Sequence, residues 1–86
     1  MQKILIVEDD LDIQEMIQFF LEDQNYQVCV ADDGVEGVAI FNKEHPDMVL
    51  LDIMLPKMDG YAVCEIIRQS SNVPIIMISA LSSETD

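Results

Sequence analysis

Asp52 stands inside the most apolar stretch of the chain: every other residue from Met48 to Leu55 is apolar. A buried, unpaired carboxylate is costly. This one therefore needs a partner, an opening to solvent, or chemistry to perform. Two more acids, Glu8 and Asp9, follow directly on another apolar run, Ile4 to Val7, and Ser79 ends a third, "PIIMIS". Singly, each is weak evidence, because an acid after a strand is more often a helix cap or a solvated loop residue. Together they describe a site. Two like charges about 4 Å apart repel by roughly 4 kcal/mol at an effective dielectric near 20. A cluster of three would raise a pKa or recruit a cation. Mg2+, a hard ion that takes one or two carboxylates plus waters and phosphate oxygens, fits such a set, as does a similar divalent ion such as Mn2+. The metal would let a phosphoryl group approach a repulsive site, and the Ser79 hydroxyl could donate to an oxygen of a group attached to Asp52.

These residues meet only if the elements beneath them converge. "KILIV" (3–7) is a continuous apolar run, as expected for a strand buried on both faces of a parallel sheet. Ile13, Met16, Ile17, Phe20 and Leu21 then recur at helical spacing, with Asp10 placed to cap that helix and Asn25 to end it in a left-handed conformation. "YQVCVA" (26–31) reads as a second strand, and Val35, Val38, Ala39 and Phe41 mark a second helix that finishes near His45. "DMVLLD" (47–52) is a third strand. Asp59 can cap a third helix with Val63, Ile66 and Ile67 inward, and "PIIMIS" (74–79) is a fourth strand with Pro74 at its first position. Ser82 or Ser83 resembles the start of another helix. The alternation predicts an α/β fold, a doubly wound parallel sheet with helices on both faces. Ligands of such sheets bind outside the carboxyl ends of the strands, where the strand order reverses. With the first and third strands adjacent (order 2-1-3-4), Glu8, Asp9 and Asp52 converge there.

Composition narrows the function classes. The 86 residues allow one domain, and 50% hydrophobic content is too high for a disordered chain. Seventeen acids against four bases give a net charge of −13. That argues against direct nucleic-acid binding, which needs clustered Lys and Arg, and against an anionic membrane surface. No apolar stretch approaches the roughly 20 residues of a membrane span, and no signal-peptide pattern opens the chain. With Cys29 and Cys64 read as free thiols of a reducing compartment, the expected location is cytoplasmic.

The motifs "ILIVEDD", "ADDGVEGV", "PDMVLLDIMLPKMDGYAVCEIIR" and "VPIIMISA", in this order and spacing, resemble the receiver domain of bacterial two-component response regulators over essentially the whole chain. The resemblance implies a flavodoxin-like fold. It implies that Asp52 is the phospho-acceptor, that Asp9 binds Mg2+ directly and Glu8 through water, and that the Met54 backbone carbonyl is a further metal ligand. Ser79 would be the hydroxyl that moves to the phosphoryl group. The partner would be a sensor histidine kinase, or a small phosphodonor in its place. Such a module is not an enzyme in the usual sense and at most assists its own phosphorylation and dephosphorylation. An aspartyl-phosphate hydrolase of the haloacid-dehalogenase type would need a second Asp two residues after the nucleophile as acid–base, where this chain has Met54. A nucleotide or flavin binder would want a phosphate-cradling loop after the first strand, where "VEDDLD" stands.

The family pattern continues past the fourth strand with a helix, a fifth strand carrying a phosphoryl-contacting lysine, and a final helix. Residues 1–86 are therefore expected to form an incomplete receiver domain. On that expectation the fourth strand becomes an exposed apolar edge prone to pairing, and apolar helix surface is left uncovered. Self-association through the strand-4 edge follows. The competing functional reading is a truncated scaffold, impaired in phosphorylation, that self-associates or binds its missing segment.

Overall fold

The computed structural model describes residues 2–78. Within them the order is β1 (Lys3–Val7), α1 (Leu11–Asp23), β2 (Gln27–Ala31), α2 (Gly34–Glu44), β3 (Met48–Asp52), α3 (Gly60–Arg68) and β4 (Ile75–Ile78). All three strand pairs are parallel, and the sheet order is β2-β1-β3-β4. This is the doubly wound parallel sheet that the alternating pattern predicts, and it is flavodoxin-like, as the resemblance implies.

Local sequence sets the helix boundaries. Asp10 accepts from the Asp12 and Ile13 amides at 2.9 and 3.2 Å, which starts α1. Asp33 caps α2 through the Glu36 amide (2.8 Å) and Asp59 caps α3 through the Ala62 amide (2.9 Å). Asn25 takes the left-handed conformation beyond α1 (φ 71°), and His45 does the same at the end of α2 (φ 49°).

The two faces of the sheet are filled differently. Leu5, Val7, Val49 and Leu51 point to one face and pack with Phe41 of α2 and with Val63 and Ile67 of α3 into a closed core. Ile4 and Ile6 alternate with them and are buried on the other face, where α1 contacts β1 and β2. Ile13, Ile17 and Leu21 are half-buried there. Met16 and Phe20 are 64% and 61% exposed, although their spacing puts them with the apolar set. They lie on a flank of the helix that no described element reaches. Ile76, the register partner of Leu50, is 47% exposed for the same reason. Val35 is exposed, while Phe41 supplies the buried bulk of α2. Cys29 and Cys64 are free and half-buried, and burial pushes the Cys29 thiol up from its ordinary pKa.

Candidate functional site

The register does the positioning. Val7 pairs with Leu51 as the last paired residues of β1 and β3, so one step further sets Glu8 beside Asp52. The Glu8 amide extends the ladder on the other side by donating to the Ala31 carbonyl (3.0 Å). Glu8, Asp9 and Asp52 each offer a carboxylate oxygen within 4.8 Å of the other two. Glu8 and Asp52 are buried, whereas Asp9 is exposed. Asp52 is the terminal residue of β3, as expected, and only 5% of its surface reaches solvent. The β3–α3 loop and the start of α3 close over it. Gly60 lies so close to the Asp52 carbonyl that an added Cβ would clash with it.

The carboxylates have few internal partners. The Asp10 amide donates to Glu8 Oε2 (3.1 Å) and the Met54 amide to Asp52 Oδ1 (3.3 Å). Among the described residues no Lys or Arg pairs with them. Lys3 is engaged with Glu44 (2.9 Å), and Lys57 with Asp33 (3.3 Å). Lys57, in the loop after Asp52 and with φ 69°, is largely exposed and bonds to the cap of α2 rather than to the cluster. Burial, followed by the charge and hydrogen bond of Asp52 and the charge of Asp9, pushes the Glu8 carboxyl up to about 7, against the Asp10 amide, which pulls it down. This unbalanced donor set fits a divalent cation: three carboxylate oxygens at ligating separation, two of them buried, with no internal cation.

Beside the cluster a cleft of about 510 Å³ opens between Asp9, the 53–56 loop and Tyr61. Exposed Met54 flanks it. A larger depression of about 660 Å³ runs along the outer side of α3, away from Glu8, Asp9 and Asp52. Ser79 follows β4 and lies outside the described residues.

Sequence reasoning passed over Gln14. Its side-chain amide is buried and donates to the Glu8 carbonyl (3.0 Å) and to Asp32 Oδ1 (3.0 Å). Its signal was visible: Gln14, Ile17 and Leu21 share the inward stripe of α1 at i, i+3 and i+7, and a polar residue there needs a reason.

The response regulator receiver domain family matches residues 4–86. The chain belongs to the response regulator receiver family. The transcriptional regulatory protein YxdJ of Bacillus subtilis is 52% identical over 86 residues, all of this chain and 38% of that protein. The probable transcriptional regulator ycf27 of Porphyridium aerugineum is 46% identical over 85 residues, 99% of this chain and 35% of its own length. The chain thus spans about a third of these curated relatives. Among solved structures, the Francisella response regulator 1452 receiver domain superposes with a TM-score of 0.89 at 34% identity, covering 96% of this chain and 69% of that one. The Thermotoga maritima response regulator TrrA, in complex with Mg2+ and BeF, has a TM-score of 0.89 at 32% identity, covering 95% and 72%. Receiver domains of this family generally bind Mg2+ at an acidic pocket and interact with sensor histidine kinases. No helix among the described residues is long and apolar enough to cross a membrane.

Proposed function

We propose that this receiver domain accepts a phosphoryl group on Asp52 with a divalent cation, Mg2+ or Mn2+, held by Glu8, Asp9, Asp52 and the Met54 backbone carbonyl. The observation that carries the reading is the meeting of three carboxylates, two of them buried, with no Lys or Arg paired to them among the described residues. The cation, when bound, supplies the positive charge that lets phosphoryl oxygens enter an acidic site.

The chain's own residues do the rest. One Asp52 carboxylate oxygen attacks phosphorus and forms an acyl phosphate. In transfer from a phosphohistidine the P–N bond breaks, and the imidazole leaves with its electron pair and takes up a proton. The Met54 amide already donates to Asp52 Oδ1, which holds the carboxylate in one orientation. The cleft beside Asp9 and Tyr61 gives the donor an approach from solvent. Ser79 is assigned the hydroxyl that contacts the transferred group. The module's chemistry is confined to its own phosphorylation and dephosphorylation, its partner is a sensor histidine kinase, and its place is the cytoplasm. Incubation with Mg2+ and a small acyl-phosphate donor should add the mass of one phosphoryl group to the wild type and nothing to Asp52→Asn. Failure to gain mass under any donor condition would leave a receiver-like scaffold.

A second reading concerns partners. Among the described residues β4 has no neighbour on its outer side, Ile76 is half-exposed, and Met16 and Phe20 are uncovered. An apolar edge open in this way would let two copies of the chain pair through β4. Analytical ultracentrifugation at micromolar concentration tests it, and a folded monomer would end that reading.

A further inference from the structure

The geometry points to Gln14 as a positioning residue of the carboxylate site: its buried amide, braced on Asp32, holds the Glu8 main chain and so sets where Glu8 and Asp9 stand relative to Asp52. This inference rests on the cation-site reading above. Among the described residues the buried polar side chains are Glu8, Gln14 and Asp52. Two of these belong to the cluster, and the third touches it through the backbone.

The Glu8 peptide is held from two sides. Its N–H donates to the Ala31 carbonyl of β2, and its carbonyl accepts from Gln14 Nε2, both at 3.0 Å. A peptide unit is planar. Fixing the Glu8 carbonyl therefore fixes the plane that carries the Asp9 nitrogen and Cα, and with it the point from which the Asp9 side chain starts. Asp9 itself is exposed, and the backbone ahead of it sets where its Cα stands. Both acceptors of Gln14 Nε2 are oxygens, one a carbonyl and one a carboxylate. That settles which end of the amide faces them. Asp32 completes the brace. Its own amide donates to Glu36 Oε1 at 2.7 Å, which ties the β2–α2 loop to the first turn of α2. The end of β1, the first turns of α1 and the β2–α2 loop thus form one hydrogen-bonded unit behind the carboxylates.

The test measures Mg2+ affinity by calorimetry on folded protein, well below its melting temperature, with circular dichroism as the check on fold. Gln14→Met keeps the volume and removes the donor. It should weaken Mg2+ binding about tenfold, the low end of what losing a partner behind a metal ligand typically costs. A folded Gln14→Met that binds as the wild type does overturns the inference. Where Gln14→Met does not fold, the exposed Asp32 decides. Asp32→Ala and Asp32→Asn lose the same charge, but only Asn keeps an acceptor for Gln14. Asp32→Ala should bind Mg2+ several-fold more weakly than Asp32→Asn, and equal affinities overturn the brace. Asp52→Asn separates the two levels of the argument. If it binds Mg2+ as well as the wild type, or if neither binds, the cation-site reading fails and this inference falls with it. If only Asp52→Asn loses Mg2+ while Gln14→Met does not, the inference about Gln14 alone fails.

Discussion

Glu8 and Glu44 sit near opposite ends of the same strand, and their carboxyls move in opposite directions. Glu44, at the end of α2, meets Lys3 at the start of β1. The hydrogen bond from Lys3, then its charge, holds the Glu44 carboxyl below its ordinary range. Asp47 joins the same corner by accepting from the Lys3 backbone amide at 2.8 Å. At the other end Glu8 is buried beside Asp52 with no basic partner among the described residues, and its carboxyl rises to about 7. One end of β1 settles its acids with the chain's own lysine. The other gathers three acids that no lysine or arginine among the described residues meets. Residue type is the same in both places; the difference lies in burial and in where four basic residues were placed among seventeen acids.

The largest effect should come from Asp52→Asn. It removes phosphoryl uptake altogether, seen by intact-protein mass after incubation with an acyl-phosphate donor. Because it also removes one of three crowded charges, the metal-free variant should melt at a higher temperature than the wild type. A lower melting temperature would mean that the carboxylate stabilises the fold, and the contrast between the two ends would weaken.

Gly60→Ala comes next. Its Cβ would collide with the Asp52 carbonyl and crowd Ile53. Overpacking of this kind costs about 1–3 kcal/mol, measurable by urea denaturation, and should slow phosphoryl uptake by shifting Asp52.

The pH dependence separates the ends directly. Glu8 has a folded pKa raised from 4.5 to about 7. Its contribution to stability is therefore fully present below about 4.5 and is lost as pH rises through 7. Glu44 is lowered, so its contribution is present above its ordinary pKa and is lost as pH falls below it. Glu8→Gln should flatten the decline between pH 4.5 and 7 in metal-free melting curves and leave the acid limb unchanged. Mg2+ affinity of the wild type should rise with pH through the same window, because the cation displaces the Glu8 proton.

Lys3→Met should have the smallest effect. The Lys3–Glu44 pair lies at the surface, where ion pairs contribute little. We expect a slight loss of thermal stability that fades with added salt, and unchanged Mg2+ binding. A loss of Mg2+ affinity here would show that the two ends are not independent.

Much of the site's frame was legible in the sequence. Apolar runs of strand length announced the parallel strands, and the acids that follow the first and end the third do come together. Asp10 and Asp59 cap the helices they were expected to cap, because capping depends on a few neighbouring residues, whereas the Asp33 cap of α2 was read only as a turn. Met16 and Phe20 were less legible. Periodicity says that a side chain is apolar and on which stripe it lies, but not whether another element covers that stripe. Gln14 was passed over because its acceptors are six and eighteen residues away, and Lys57 found Asp33 across a comparable gap.

By itself, then, the sequence determined the element order, the caps, the excess of acid and the isolation of Asp52 among apolar residues, since each depends on residue type and short spacing. Only the tertiary structure decided that the parallel register sets Glu8 beside Asp52, that both carboxylates are buried while Lys57 turns away to Asp33, and that one amide of α1 holds the Glu8 backbone. Those are long-range contacts. They exist because β1 lies between β2 and β3 and because loops from three different elements close over one end of the sheet.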